Sequence, residues 1–221
     1  MSRNLRIDVF FDFICPWCLI GKRQLERALL QLRSLQPDVE VELAWQGVQL
    51  LPHLPARGEP FAAFYLNRLG SAEAVRQRQA QVQQAAAAIG LSIDLSGIVN
   101  MPNTADAHRL LERAAALGTP SQRDDLLVRL FAAYFHDGED LGCSATLMAI
   151  AESCGFDRAA VADCLRGDAS PFVGSTPRGV SSVPYFYFDR QLTIAGAQPA
   201  EALLSAMCEA LLHNEPEQQP S

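Results

Sequence analysis

Phe10-Phe11-Asp12-Phe13-Ile14-Cys15-Pro16-Trp17-Cys18 is the stretch that decides how this chain folds. An apolar run ends in two cysteines spaced C-x-x-C. A helical pattern follows at once in Leu19, Ile20, Leu25, Leu29 and Leu30. Strand, dithiol and helix in that order bring a sulfur to a helix N-terminus. There the unpaired N–H donors and the partial positive charge of the peptide dipoles favour thiolate over thiol. Pro16 suits the first helical position, where no N–H is needed. Cys15 is then expected at the N-cap with its sulfur outward. Cys18, three residues on, shares its helix face.

A zinc site needs a second ligand pair at close spacing. The other cysteines, Cys143, Cys154, Cys164 and Cys208, form no second C-x-x-C, and the four histidines are scattered. No metal is therefore expected, and the pair reads as a reactive dithiol. The other four cysteines fall near or within helices and read as small apolar residues.

A chain of 221 residues that is 49% hydrophobic suits one large domain, or a domain with an inserted subdomain. The net charge of -7 and the lack of a basic stripe argue against nucleic acid. No apolar run approaches the ~20 residues of a membrane span. The first apolar run is broken by Asp8 and Asp12 and has no small-residue cleavage site, so it does not read as a signal peptide. A cytoplasmic location is expected. Thiols are kept reduced there, and a dithiol is more often catalytic than structural.

Outward from the dithiol, Ile7 to Phe13 reads as a strand covered on both faces. Pro16 to about Ser34 reads as a helix. Val39, Val41, Leu43 and Trp45 alternate with Glu40, Glu42, Ala44 and Gln46 as a second strand. From Pro60 to Gly167 the pattern is helical almost throughout. Segments are expected at 61–69 and 71–89, from a Thr104 cap to Leu117, and behind a Ser121/Asp124 capping box. Two more start at Ser144 and Asp157. Tyr185 to Phe188 and Leu192 to Ile194 read as a hairpin around Asp189-Arg190-Gln191, followed by a helix from Ala200 to Leu212. The result is an α/β chain of βαβ…ββα order with a large all-helical insertion. Residues 1–58 and 168–213 make one discontinuous domain, 59–167 the inserted helical subdomain, and 214–221 a disordered tail.

Four motifs carry a family resemblance between Ile7 and Leu212. They are Phe11 to Cys18, Asn103-Thr104-Ala105-Asp106-Ala107-His108-Arg109-Leu110, Gly179-Val180-Ser181-Ser182-Val183-Pro184-Tyr185-Phe186, and Ile194-Ala195-Gly196-Ala197-Gln198. With these the sequence resembles the DsbA family of thioredoxin-fold proteins, and most of all its cytosolic FrnE-like branch. The resemblance implies a thioredoxin-like fold and a protein disulfide oxidoreductase that cycles Cys15 and Cys18. It implies that Val183–Pro184 is cis and that the Val183 backbone pairs with an extended substrate near Cys15.

The partner implied is a disulfide-containing protein or a small thiol. No cofactor is expected, glutathione is admitted as co-substrate, and the chain is a monomer or homodimer. A glutathione-dependent transferase or isomerase of the kappa-class or chromene-carboxylate isomerase type is the alternative, although those proteins typically carry serine where Cys15 stands. A non-catalytic binder using a Trp17 rim is a third reading.

Two departures from the family pattern stand out. Pro16-Trp17 replaces the Pro-His of periplasmic DsbA proteins, which implies a less acidic Cys15 and a less oxidising disulfide. Ser170 to Pro177 is rich in helix breakers where relatives carry a helix. Three further residues are candidates for tuning or ligand contact. Asp12, three residues before Cys15, can act on the dithiol or simply bond backbone. Asn103 and His108 can line a groove, or else cap and pack their helix.

Overall fold

Nine residues rich in β formers, Arg3–Phe11, make the central strand β1. The other strands are β2 Val39–Gly47, β3 Glu59–Pro60, β4 Asn100–Met101, β5 Tyr185–Phe188 and β6 Leu192–Ala195. The helices are α1 Pro16–Leu35, α2 Phe61–Leu69, α3 Ala72–Ala87, α4 Ala105–Leu117, α5 Pro120–Phe135, α6 Ser144–Ser153, α7 Arg158–Val161 and α8 Ala200–His213, with a 3-10 turn at Ala162–Cys164. This computed structural model describes residues 3–174, 180 and 182–213. Gly179 and Ser181 of the third motif, Ser175 to Pro177 of the breaker-rich stretch, and the tail 214–221 lie outside the described residues. The chain divides into two units, Met1–Phe11, Trp17–Gly47 and Ser175–Ser221 in the first, Asp12–Pro16 and Val48–Gly174 in the second.

The first unit holds a four-stranded sheet of order β2-β1-β5-β6. β1 runs parallel to β2 and antiparallel to β5, with Val9 opposite both Trp45 and Phe186. The βαβ…ββα order of a thioredoxin-like α/β fold is thus present. Leu5, Ile7 and Val9 point from β1 into one core with Leu25, Ala28, Leu29 and Leu32 of α1 and Leu203, Ala206, Met207 and Leu211 of α8. Those helical positions recur every three or four residues, the spacing that keeps one stripe on the sheet. Asp8 and Phe10, on the opposite face of β1, are buried as well. From Ile7 to Phe11 every residue is buried, which explains why that half of the strand is apolar but for Asp8. The β5–β6 hairpin turns through Asp189 and Arg190, both at positive φ. Asp189 offsets that conformation, since its carboxylate accepts the Arg6 N–H at 2.7 Å.

The second unit is built of α2 to α7 and the two-stranded β3–β4 ladder. Several local expectations are corrected here. The capping box of α5 uses Thr119 and Gln122, not Ser121 and Asp124, because Pro120 takes the first helical position. Thr104 makes no side-chain cap on α4; Asn103 accepts the Ala105 N–H instead, at 3.0 Å. The helix started by Asp157 lasts four residues before it tightens into the 3-10 turn. Ser170 to Gly174 is irregular, without helix. Among the described residues, no helix is long and apolar enough to cross a membrane.

Candidate active site

The site begins where β1 ends. Asp12, Phe13 and Ile14 turn the chain, and the Cys15 N–H donates to the Asp12 carbonyl at 3.1 Å. Pro16 then opens α1, so Cys15 sits immediately before the helix and Cys18 in its first turn. The outward-facing sulfur expected from the sequence is corrected: Cys15 is 7% exposed and Cys18 2%. Cys15 follows a turn whose residues Phe13 and Ile14 are themselves buried, so the chain enters α1 below the surface. Trp17 is half-buried. No disulfide joins any of the six cysteines.

In the second unit, Asp12 is the centre of a buried polar group. One carboxylate oxygen accepts the Leu50 N–H at 2.8 Å. The other lies 3.1 Å from His108 Nε2, and both side chains are fully buried. The imidazole is held between two rings, Phe13 at 5.0 Å and Phe172 at 5.0 Å between centroids. Phe172 is in turn fixed by its N–H, which donates to Gln49 Oε1 at 2.8 Å. Gln49 donates to Asn103 Oδ1 at 2.8 Å, and Asn103 donates to the Leu54 carbonyl at 2.6 Å. Asn103 and His108 are thus committed to protein partners: Asn103 caps α4 and ties down two loops, and His108 packs against Asp12.

Arg109 anchors the same segment from the other side. It pairs with Asp106 at 2.6 Å and donates to the Ser170 and Pro171 carbonyls. Beyond Phe172 opens a cavity of about 550 Å³, lined by Arg109, Glu112, Arg113, Asp163, Cys164 and Phe172 among others. Glu112 is pushed above the usual carboxylate range by burial, with His108 and Arg109 opposing.

Two tyrosines that the sequence does not single out belong to this environment. Tyr65 of α2 meets the Phe61 ring at a tilt and the Phe64 ring edge-on. Burial, and then the electrostatic interaction with Cys15, push its phenol above the usual range. Tyr134 of α5 donates to Met101 Sδ at 3.6 Å. Burial raises it well above the phenol range, with Tyr65, Asp12 and Asp140 adding to the effect. Nothing in their local sequence distinguishes either from an ordinary core aromatic.

In the first unit, the Val183–Pro184 peptide is cis. Pro184 is buried and Val183 half-buried. The Pro184 carbonyl accepts the Gly196 N–H at 2.8 Å, which ties this loop to the end of β6 and to the Gly-Ala-Gln motif. Among the described residues, no group of three or more His, Cys, Asp or Glu side chains could hold a metal ion.

Comparison with known proteins agrees with this architecture. A probable DsbA oxidoreductase from Streptomyces coelicolor is 25% identical and superposes with a TM-score of 0.77 over 98% of this chain and 94% of that one. A 2-hydroxychromene-2-carboxylate isomerase superposes with a TM-score of 0.61 at 15% identity, over 95% and 97% of the two chains. The cytosolic disulfide reductase DsbM from Pseudomonas aeruginosa, solved with GSH, gives 0.57 at 14% identity over 94% and 96%. The family model described as DSBA-like thioredoxin domain matches residues 6–208. With nearly the whole length accounted for in that match, the chain belongs to the DSBA-like thioredoxin domain family.

Proposed function

We propose that the protein is a thiol–disulfide oxidoreductase of the FrnE-like branch, working in the cytoplasm through Cys15 and Cys18. The observation that carries the reading is that both cysteines are retained at the start of α1, the first directly before it and the second within its first turn. A substrate disulfide R–S–S–R′ is attacked by the Cys15 thiolate. The Cys15–S–R bond forms and R′–S⁻ leaves. The Cys18 thiolate then attacks the Cys15 sulfur, closes the Cys15–Cys18 disulfide and expels R–S⁻. The dithiol loses two electrons and two protons, and the substrate gains them. Two molecules of a small thiol such as glutathione restore the dithiol and leave as their own disulfide. The reverse sequence makes a disulfide in the substrate.

Trp17 offers an apolar rim to the substrate, and the Val183 backbone beside Pro184 receives an extended peptide segment. Asp12 is a positioning residue in this scheme. Its carbonyl holds the Cys15 N–H, while its carboxylate is fixed by Leu50 and His108.

A Cys18→Ala variant tests the proposal. It should stop at the mixed disulfide, recoverable on Cys15 by mass spectrometry, and lose turnover. Were the protein instead a glutathione-dependent transferase or isomerase, Cys18→Ala would leave conjugation largely intact. A binder without catalysis would survive loss of both cysteines.

A further inference from the structure

Gly21 stands in the interior of α1, where glycine is an unfavourable choice. It lies one turn after Cys18, on the same face of the helix. Its backbone conformation does not call for glycine; its surroundings do. A Cβ added at Gly21 would sit 2.9 Å from Pro184 Cγ, 3.3 Å from Pro184 Cβ and 3.3 Å from Phe186 Cζ. Ordinary carbon contacts lie at about 3.5–4.0 Å. None of these neighbours can yield cheaply. Pro184 Cγ belongs to a closed ring with no rotamer to flip. Phe186 is fully buried in the sheet core. The Pro184 carbonyl is held by the Gly196 N–H. A methyl group at position 21 must therefore lift the Pro184 loop off α1 or push α1 away.

We propose that Gly21 is a positioning residue: its missing side chain seats the Pro184 ring directly on α1, one turn beyond Cys18, and so sets the height at which the Val183 segment receives an extended peptide. This rests on the oxidoreductase reading above and adds a determinant of substrate class. A peptide disulfide needs that segment at its native height. A disulfide too small to reach the loop depends on the sulfurs alone.

The test uses the dithiol-reduced full chain in single-turnover oxidation. One oxidant is a peptide carrying a single disulfide, the other bis(2-hydroxyethyl) disulfide. For Gly21→Ala, the ratio of the peptide rate constant to the small-disulfide rate constant should fall about tenfold, the scale of a modest overpacking strain. A variant that only loses stability lowers both constants together and leaves the ratio where it was, and that result overturns the proposal.

If Gly21→Ala does not fold, Pro184→Ala and the double variant Gly21→Ala/Pro184→Ala replace it, since removing Cγ relieves the closest contact. Equal ratios in these two support action through Pro184; a further fall in the double variant overturns it. A wild type that reacts with neither oxidant overturns the oxidoreductase reading and this inference with it. A wild type that reacts with the small disulfide alone removes only this inference.

Discussion

His108 Nε2 lies 3.1 Å from Asp12 Oδ1, and both side chains are fully buried. The other carboxylate oxygen accepts the Leu50 N–H. His108→Ala takes away the ring that completes this arrangement and leaves the carboxylate buried beside a void. Leaving a buried polar group without one of its hydrogen-bond partners costs about 1–3 kcal/mol, and more for a charged group. We expect a loss on that scale in urea unfolding. Asp12→Asn in the same chain should recover part of it, because an amide tolerates burial better than a carboxylate. A His108→Ala protein as stable as the parent would show that the contact contributes nothing.

The alkaline limb of stability should be set by phenols. The chain has four tyrosines and a single lysine. Tyr65 and Tyr134 are both raised by burial in the folded state. A raised folded pKa means that the protonated form is favoured when folded. The associated stability is intact below the unfolded phenol value of about 10 and is lost as pH climbs from there through the folded value. The melting temperature should therefore drop steeply above pH ~10. Tyr134→Phe, which forfeits one weak bond to Met101, should flatten that drop. An unchanged slope in Tyr134→Phe and Tyr65→Phe would assign the alkaline loss to other groups.

Elements with a strong period were legible in the sequence. β1 reads as apolar from Ile7 onward because residues there are buried on both faces, and α1 and α8 show an apolar stripe because each buries one side against the sheet. What failed was decided by one or two residues. Thr119 outcompeted Ser121 as a cap because proline at 120 pre-sets the first turn. The β3–β4 ladder is two residues per strand and includes Pro60, so no alternation exists to be seen. The candidate site was legible only along the chain. Asp12 and His108 are 96 positions apart, and Tyr65 carries no motif. Gly21 looks like a poor helix residue until Pro184 is placed against it.

If Cys15 and Cys18 cycle as proposed, the residue at position 17 should tune the redox potential. Periplasmic DsbA proteins place histidine there, a cation beside the sulfur, whereas tryptophan brings no charge. DsbA lies near -120 mV and thioredoxin near -270 mV, about the range between a strong oxidant and a strong reductant. We expect the Cys15–Cys18 couple between them. Trp17→His should move it toward the oxidising end, because a nearby positive charge stabilises the reduced, thiolate form. Equilibration in glutathione redox buffers, followed by thiol counting, gives both values. A wild-type couple as oxidising as DsbA would remove the argument from position 17.

Outside the dithiol, the cysteines should differ sharply toward an alkylating reagent. Cys143 is exposed immediately before α6. Its thiol is held below the ordinary cysteine range, chiefly by bonds from the Thr146 backbone and side chain. Cys164 is the opposite case: it is buried, its thiol is pushed up by that burial, and it donates to the Val161 carbonyl at 3.0 Å. Thiolate is the reacting form, so access and ionisation act in the same direction at both positions. Iodoacetamide at neutral pH should modify Cys143 at least about tenfold faster than Cys164 in the native chain. The two rates should converge in urea, where both thiols meet the same solvent. Peptide mass spectrometry over a time course reads both rates, and faster native labelling of Cys164 would mean that the packing around the Ala162–Cys164 turn opens readily in solution.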